Sequence, residues 1–204
     1  MPIRPRFFPL LCLGITVVTA PLTAQKVVGG SQLKHAPKAE LLDTTGMFQS
    51  AYAKVGDDLF IAGQPTEKAL RAMKAKGVTM VVNLRTPAEM ERIGFDEAKL
   101  IGELGMQYVY IPVRGDSVFP YDATALTRFT DALKQANGKV LLHCTVAWRA
   151  SHLWGAYLIQ QGVPVAEALE NTRGINLMDL HRTNGPQPMA LFLGRPVPGL
   201  GGQH

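Results

Sequence analysis

The stretch Lys139-Val140-Leu141-Leu142-His143-Cys144-Thr145-Val146-Ala147-Trp148-Arg149-Ala150-Ser151-His152-Leu153-Trp154 sets a short apolar run against a helical stripe, with a six-residue loop between them. The run at 139–143 is too short for a helix, is rich in Val and Leu, and follows the turn signal Asn137-Gly138, which is the pattern of a buried strand. After the loop at 144–149, Ala150, Leu153, Trp154, Tyr157 and Leu158 recur at helical spacing. A buried strand that feeds a helix through a short loop is half of a β–α unit. Repeated units of this kind need a parallel sheet covered on both faces.

The flanking sequence repeats the alternation. Residues 58–62 are an apolar strand candidate turned by Gly63-Gln64-Pro65 into a helix from Thr66, whose Leu70 and Met73 share a face and which Gly77 ends. Residues 79–84 form a β-branched apolar run, and Thr86-Pro87 supplies the N-cap and first-turn pair of a short helix. Residues 95–104 are amphipathic and 107–113, rich in Tyr, Val and Ile, have strand character. Asp122 caps a helix over 123–135 with Leu126, Phe129 and Leu133 on one face, and Pro164 opens another to about Arg173. The expected fold is α/β, a single domain with a mostly parallel sheet flanked by helices. It covers 52–185, with 25–51 as a linker or N-terminal arm and 186–204 as a Pro/Gly-rich C-terminal tail.

Composition agrees with one globular domain. The 204 residues are 47% hydrophobic and 18% charged, so the chain is neither disordered nor collagen-like. Arg4 and Arg6, the apolar run 7–20 and Leu22-Thr23-Ala24 are the parts of an export signal, with cleavage expected after Ala24. The run, about 14 residues, is short against the roughly 20 that span a bilayer. Removing 1–24 takes away Arg4 and Arg6 and lowers the formal charge from +5 to +3. It also takes away Cys12 and leaves Cys144 as the lone thiol of an exported, periplasmic or secreted protein, with no bridge to make.

A thiol at the end of a buried strand and before a helix sits among free backbone N–H groups at the positive end of the helix dipole, an arrangement that stabilises a thiolate. The same amides can hold an oxyanion, and the planar fork of Arg149 can hold two of its oxygens. Attack of Cys144 on phosphorus would give a phosphocysteine that water later hydrolyses. In parallel sheets ligands bind beyond the carboxyl ends of strands, where Cys144 falls.

At these residues the chain resembles the protein-tyrosine and dual-specificity phosphatase superfamily, and within it a bacterial branch called beta-lactamase-hydrolase-like. Three pieces match in order: Leu59-Phe60-Ile61-Ala62-Gly63-Gln64-Pro65-Thr66, then Val81-Val82-Asn83-Leu84-Arg85-Thr86-Pro87-Ala88-Glu89, then the loop from His143 to Arg149. The resemblance implies Cys144 as nucleophile, Arg149 as phosphate clamp, and Thr145, Val146, Ala147 and Trp148 as the loop around the phosphate. His143 would orient the loop or tune the thiolate. Four residues separate Cys144 from Arg149, as in the bacterial branch, where typical tyrosine phosphatases have five. Ala147 replaces the branch's usual loop glycine, which is favoured where amides turn around an anion at φ > 0. Ala150 stands where a hydroxyl often follows the arginine, with Ser151 one place later.

The acid for the leaving oxygen is expected at Asp116, 28 residues before Cys144 in a Gly- and Ser-containing loop. Its competitor, Asp122, has the position of an N-cap. Arg85 and Glu89 have the spacing of an i,i+4 pair, and Trp148 can stack on an aromatic substrate or cover the loop. His35, His152, His181 and His204 lack metal-ligand spacing, so no metal or cofactor is expected. The expected partner is a phosphorylated substrate or another small anion. Nucleic acid is not expected, because Lys and Arg are dispersed, and neither is a membrane once the signal is removed. The residues leave two further readings open: a rhodanese-type sulfurtransferase carrying a persulfide on Cys144, and an anion-binding pseudophosphatase without turnover.

Overall fold

Six strands form one sheet in the computed structural model, which describes residues 33–178 and 187–200. They are β1 (Ala39–Leu41), β2 (Tyr52–Val55), β3 (Leu59–Ala62), β4 (Val78–Asn83), β5 (Gln107–Tyr110) and β6 (Lys139–His143), in the spatial order β1-β2-β3-β6-β4-β5. The strands β3, β6, β4 and β5 run parallel, and β2 and β1 extend the β3 side antiparallel. The quoted run at 139–143 is thus a central strand. Its register pairs His143 with Ala62 on one side and with Asn83 on the other. Three parallel strands therefore end level, and Gly63, Leu84 and Cys144 leave the sheet side by side.

Among the described residues seven helices cover the sheet: α1 (Glu67–Ala75), α2 (Pro87–Met90), α3 (Glu97–Glu103), α4 (Ala123–Gln135), α5 (Trp148–Gln160), α6 (Val165–Arg173) and α7 (Pro188–Leu193). Strand periodicity sorts the two cores. Phe60, Val81 and Leu141 pack with Leu70 and Met73 of α1 and Leu100 and Ile101 of α3. The alternate residues Leu59, Ile61, Met80, Val82, Val140 and Leu142 pack with α4, α5, α6 and α7 on the other face. Helix α5 is buried almost all round, from Ala150 to Ile159, because α6 and α7 close over its outer side.

Local side-chain caps start helices, at Asp122 and Thr86 where the sequence placed them and at Asp96 where it did not. Thr66, Asp96 and Asp122 each accept the amide three residues on, and Thr86 with Glu89 forms a capping box behind Pro87. Strand β5 is shorter than the expected 107–113, although the amides of Ile111 and Val113 still bond the carbonyls of Asn83 and Leu84.

The two flanking stretches carry structure of their own. The arm 25–51 is not a mere linker in its described part: Ala39–Leu41 adds an edge strand to β2, and Phe48 stacks on Tyr52 with ring centroids 4.3 Å apart. The stretch 186–204 is not only a tail, since α7 places Met189 and Phe192 in the core, both 0% exposed. Hydrophobic burial outweighs the turn-prone composition there, with Pro188 at the first turn of α7 and Gly194 at its end in the left-handed conformation, φ 62°. The export signal at 1–24 lies outside the described residues, and no described helix is long and apolar enough to cross a membrane.

Candidate active site

Cys144 follows the last residue of β6 and is 1% exposed. The loop behind it turns on Ala147, which takes φ 67° and ψ −5° at the N-cap of α5. This is the left-handed geometry in which glycine is at home, here adopted by a fully buried alanine at a cost of roughly 1–2 kcal/mol. The turn is held from outside. The carbonyl of Thr145 accepts the Gln64 amide at 2.9 Å, that of Val146 accepts Asn176 Nδ2, and that of Ala147 accepts the amide and hydroxyl of Ser151 at 2.8 and 2.9 Å. Among the described residues, no hydrogen bond to an acceptor is seen for the amides of Thr145, Val146, Trp148 or Arg149, while Ala147 flanks the antiparallel bridge of Val146 with Gly63, which turns its amide toward the Ala62 carbonyl. Three of the loop's acceptors are thus engaged by the fold, and the amides of Thr145, Val146, Trp148 and Arg149 stand at the positive end of a 13-residue helix, as an anion site requires.

Arg149 is 8% exposed, and the fork expected to hold two oxygens of an anion is turned onto the protein. Its Nη1 donates to Glu89 Oε2 at 2.9 Å and to the carbonyls of Val113 and Leu84, and its Nη2 donates to Glu89 Oε1 at 2.6 Å and to Thr145 Oγ1 at 3.0 Å. Both prongs rest on protein oxygens, which leaves Nε–H as the donor that can meet a ligand. Burial works against the guanidinium charge, but Glu89, Cys144 and Tyr121 outweigh it and raise its proton affinity. Burial also opposes the charge on Glu89, whose hydrogen bonds from Arg149, Thr86 and Thr145 prevail and bring its pKa from 4.5 to about 2.

The expected Arg85–Glu89 side-chain pair is therefore replaced. Arg85 Nη2 donates to the Glu89 carbonyl at 2.9 Å, and its Nη1 turns to Gln64 Oε1 at 2.5 Å. The Glu89 carboxylate goes to the loop, where it also accepts Thr145 Oγ1 at 2.9 Å. The physical reason is that α2 starts directly beyond β4, so the Glu89 side chain in the first turn of the helix reaches across to Cys144's neighbours.

His143 is wholly buried, and its Nε2 lies 3.1 Å from Glu97 Oε1 of α3. Glu97 also receives Asn83 Nδ2 at 2.9 Å, Gln64 Nε2 at 2.7 Å and the Tyr108 hydroxyl at 3.3 Å. Burial pushes this carboxyl up, but the His143 charge and the bonds from His143, Gln64 and Tyr108 hold it below its ordinary value. Trp148 is half-buried, with its ring at right angles to that of His152 one turn along α5, centroids 4.8 Å apart. Asp122 is an N-cap, accepting Ala125 N at 2.9 Å.

Asp116 lies in the exposed turn beyond β5, where its Oδ1 accepts the amides of Val118 and Phe119 at 3.0 and 2.7 Å. The turn is anchored at the site through Val113, whose carbonyl takes Arg149 Nη1 at 2.8 Å. Tyr121 packs on the same turn, since a Cβ at Gly115 would come within 2.6 Å of its ring. Burial and the Cys144 and Glu89 charges, opposed by Arg149 and Arg114, push the Tyr121 hydroxyl up to about 12.

Glu89, Glu97, Tyr121 and Asn176 were not assigned to the site by sequence. One signal was present for Glu97: it shares a helical face with Leu100, Ile101 and Leu104, an acid in a position that the period gives to the core.

A candidate phosphatase (DUF442) of Shewanella putrefaciens CN-32 shares this architecture at 27% identity and a TM-score of 0.55, over 74% of this chain and 93% of that one. This is the Cys-loop phosphatase fold. The same tyrosine and dual-specificity phosphatase-like fold appears in P. aeruginosa TpbA, in a complex with pTyr, at 19% identity and a TM-score of 0.56, over 80% of this chain and 93% of that one. It appears again in PTPMT1 at 17% identity and 0.56, over 70% and 92%. A beta-lactamase hydrolase-like protein of Agrobacterium fabrum (strain C58 / ATCC 33970) is 30% identical over 103 residues, which is 50% of this chain and 23% of that relative. No family model matches the chain.

Proposed function

We propose that the protein is an exported cysteine-dependent phosphatase that hydrolyses a phosphate monoester, on protein tyrosine or on a small molecule. The observation that carries this reading is the Cys144 loop, in which the carbonyls of Thr145, Val146 and Ala147 are held by the fold and the amides of Thr145, Val146, Trp148 and Arg149 have no acceptor among the described residues. Cys144 Sγ attacks phosphorus, the P–O bond to the leaving group breaks, and Asp116 supplies the proton that the leaving oxygen takes. The loop amides and Arg149 Nε–H hold the non-bridging oxygens, and the Arg149–Glu89 pair fixes the loop. Water then attacks the phosphocysteine, Asp116 takes back a proton, and phosphate leaves with the thiolate restored. Attainment of φ 67° at Ala147 supports a working loop rather than a pseudophosphatase. The pTyr complex of TpbA makes an aryl phosphate a rational first substrate.

The test pairs two assays, phosphate release from an aryl phosphate and sulfur transfer from thiosulfate to cyanide, each on wild type and Cys144→Ser. Phosphate release that is lost in Cys144→Ser is the expected result. Release that survives the substitution refutes the phosphocysteine route, and sulfur transfer without phosphate release replaces this reading with the rhodanese-type one. Vanadate binding with turnover in neither assay assigns the loop to anion binding alone. Export, the proposed role of residues 1–24, is tested by fractionating cells and measuring the mass of the recovered chain.

A further inference from the structure

The polar cluster under the end of β6 is unusual in its demands. His143 and Glu97 are both 0% exposed in their side chains, 46 positions apart in sequence, and joined by a 3.1 Å contact. A carboxylate is acceptor-only, and this one is already the target of Asn83 Nδ2, the Tyr108 hydroxyl and Gln64 Nε2. Every group around it donates, so the histidine nitrogen that faces it must carry a proton. A lone pair there would oppose the carboxylate's own. His143 Nδ1 has no partner and is sealed from water, so nothing on that side of the ring competes for its orientation.

Gln64 cannot turn its amide over to help, because its Oε1 is held by Arg85 Nη1. Asn83 is held likewise, since its Oδ1 accepts the Arg85 amide at 2.8 Å. The donors around Glu97 are thus fixed from β4, β5 and the turn after β3, and the carboxylate has one arrangement open to it. Its location matters because His143 directly precedes Cys144 in the chain.

We propose that Glu97 is a positioning residue, which holds Nε2–H of His143, fixes the ring in one tautomer and one orientation, and through it sets the reactivity of the Cys144 thiol. This deepens the phosphatase reading, on which the use of that thiol rests. The charged and titratable groups around the pair are Tyr108 and Tyr110 on β5, Arg85 and Glu89 beyond β4, Arg149 on α5, and Cys144 itself. Arg85 and Arg149 also bear on the thiol, but neither touches His143, so the effect of Glu97 on the thiol runs through the ring. Glu97→Gln retains size and removes the charge. It also sets an NH2 group among donors, so the ring loses the acceptor that fixes its Nε2–H.

The experiment follows iodoacetamide alkylation of the full chain, read by mass spectrometry at the Cys144 peptide, as a function of pH. In Glu97→Gln the pH midpoint of alkylation is expected to rise by about one unit, an approximately tenfold slower reaction on the acid side. A midpoint that stays at the wild-type value or moves down overturns the proposal. A second measurement leaves Glu97 in place: nitrogen-15 spectra of histidine-labelled wild type, with His143 identified by its loss in His143→Asn. A proton on Nε2 is expected, and a neutral ring protonated only at Nδ1 overturns the proposal. Neither readout needs turnover, so failure of the phosphatase assay and failure of this proposal are separate results.

Discussion

Replacing Glu89 by Gln removes the charge that faces Arg149 while keeping the shape of the side chain. In the folded protein Glu89 accepts from Thr86 N and Oγ1, Thr145 Oγ1 and both Nη atoms of Arg149. An amide in its place turns one of its two oxygens into a donor that meets other donors. The displacement of the pKa from 4.5 to about 2 corresponds to an upper value of about 3 kcal/mol. Because 19% of the Glu89 side chain and 9% of Arg149's reach solvent, screening reduces this to about 2 kcal/mol.

The pH dependence has a definite sign. The folded-state pKa is depressed, so the contribution is complete above the ordinary value of 4.5 and is lost as pH falls through about 2. Urea denaturation followed by circular dichroism should therefore place Glu89→Gln about 2 kcal/mol below wild type at neutral pH. The gap should hold down to about pH 5 and narrow below that as the wild-type carboxylate protonates. A gap under about 0.5 kcal/mol at neutral pH, or one that does not narrow in acid, refutes the reasoning.

Other positions give sharper single outcomes. A Cβ on Gly63 would stand 1.7 Å from the Gln49 carbonyl oxygen and 2.8 Å from that of Thr145, both backbone, so Gly63→Ala should cost about 3 kcal/mol or more in urea denaturation. Phe192→Ala empties a fully buried site between α7 and Tyr121 and should cost about 3–5 kcal/mol; a loss under about 1 kcal/mol would mean that α7 does not belong to the core. Asp116→Asn keeps the acceptor for Val118 and Phe119 but cannot donate a proton, so kcat on an aryl phosphate should fall by about a hundredfold with loss of the basic limb of the pH profile. An unchanged basic limb puts the acid elsewhere.

The sequence by itself determined the features whose cause is local. Asp122 to Gln135 could be read as a capped helix because the cap, the period and the Asn137-Gly138 stop lie within one window. The run from Lys139 to His143 could be read as a buried strand, and the thiol and arginine that follow it as lying on one short connection into a helix. The geometry at Ala147 was not legible, because alanine in place of a loop glycine argues against a left-handed residue, and only the surrounding fold imposes φ 67° there.

Tertiary structure decided what depends on pairing at a distance. Ala39–Leu41 has a half-exposed pattern with no period to recognise, and it is a strand only because β2 offers an open edge. Helix α7 spans six residues and holds because Met189 and Phe192 fill the core behind α5. Within the site, Glu89 reaches Arg149 across 60 positions and Glu97 reaches His143 across 46. Charge at a position is visible in sequence, but the partner that satisfies it is chosen by which strands end level and which helices start beside them. Here the common end of β3, β4 and β6 made that choice, because a buried charge keeps its ionised form only where the fold brings donors to it.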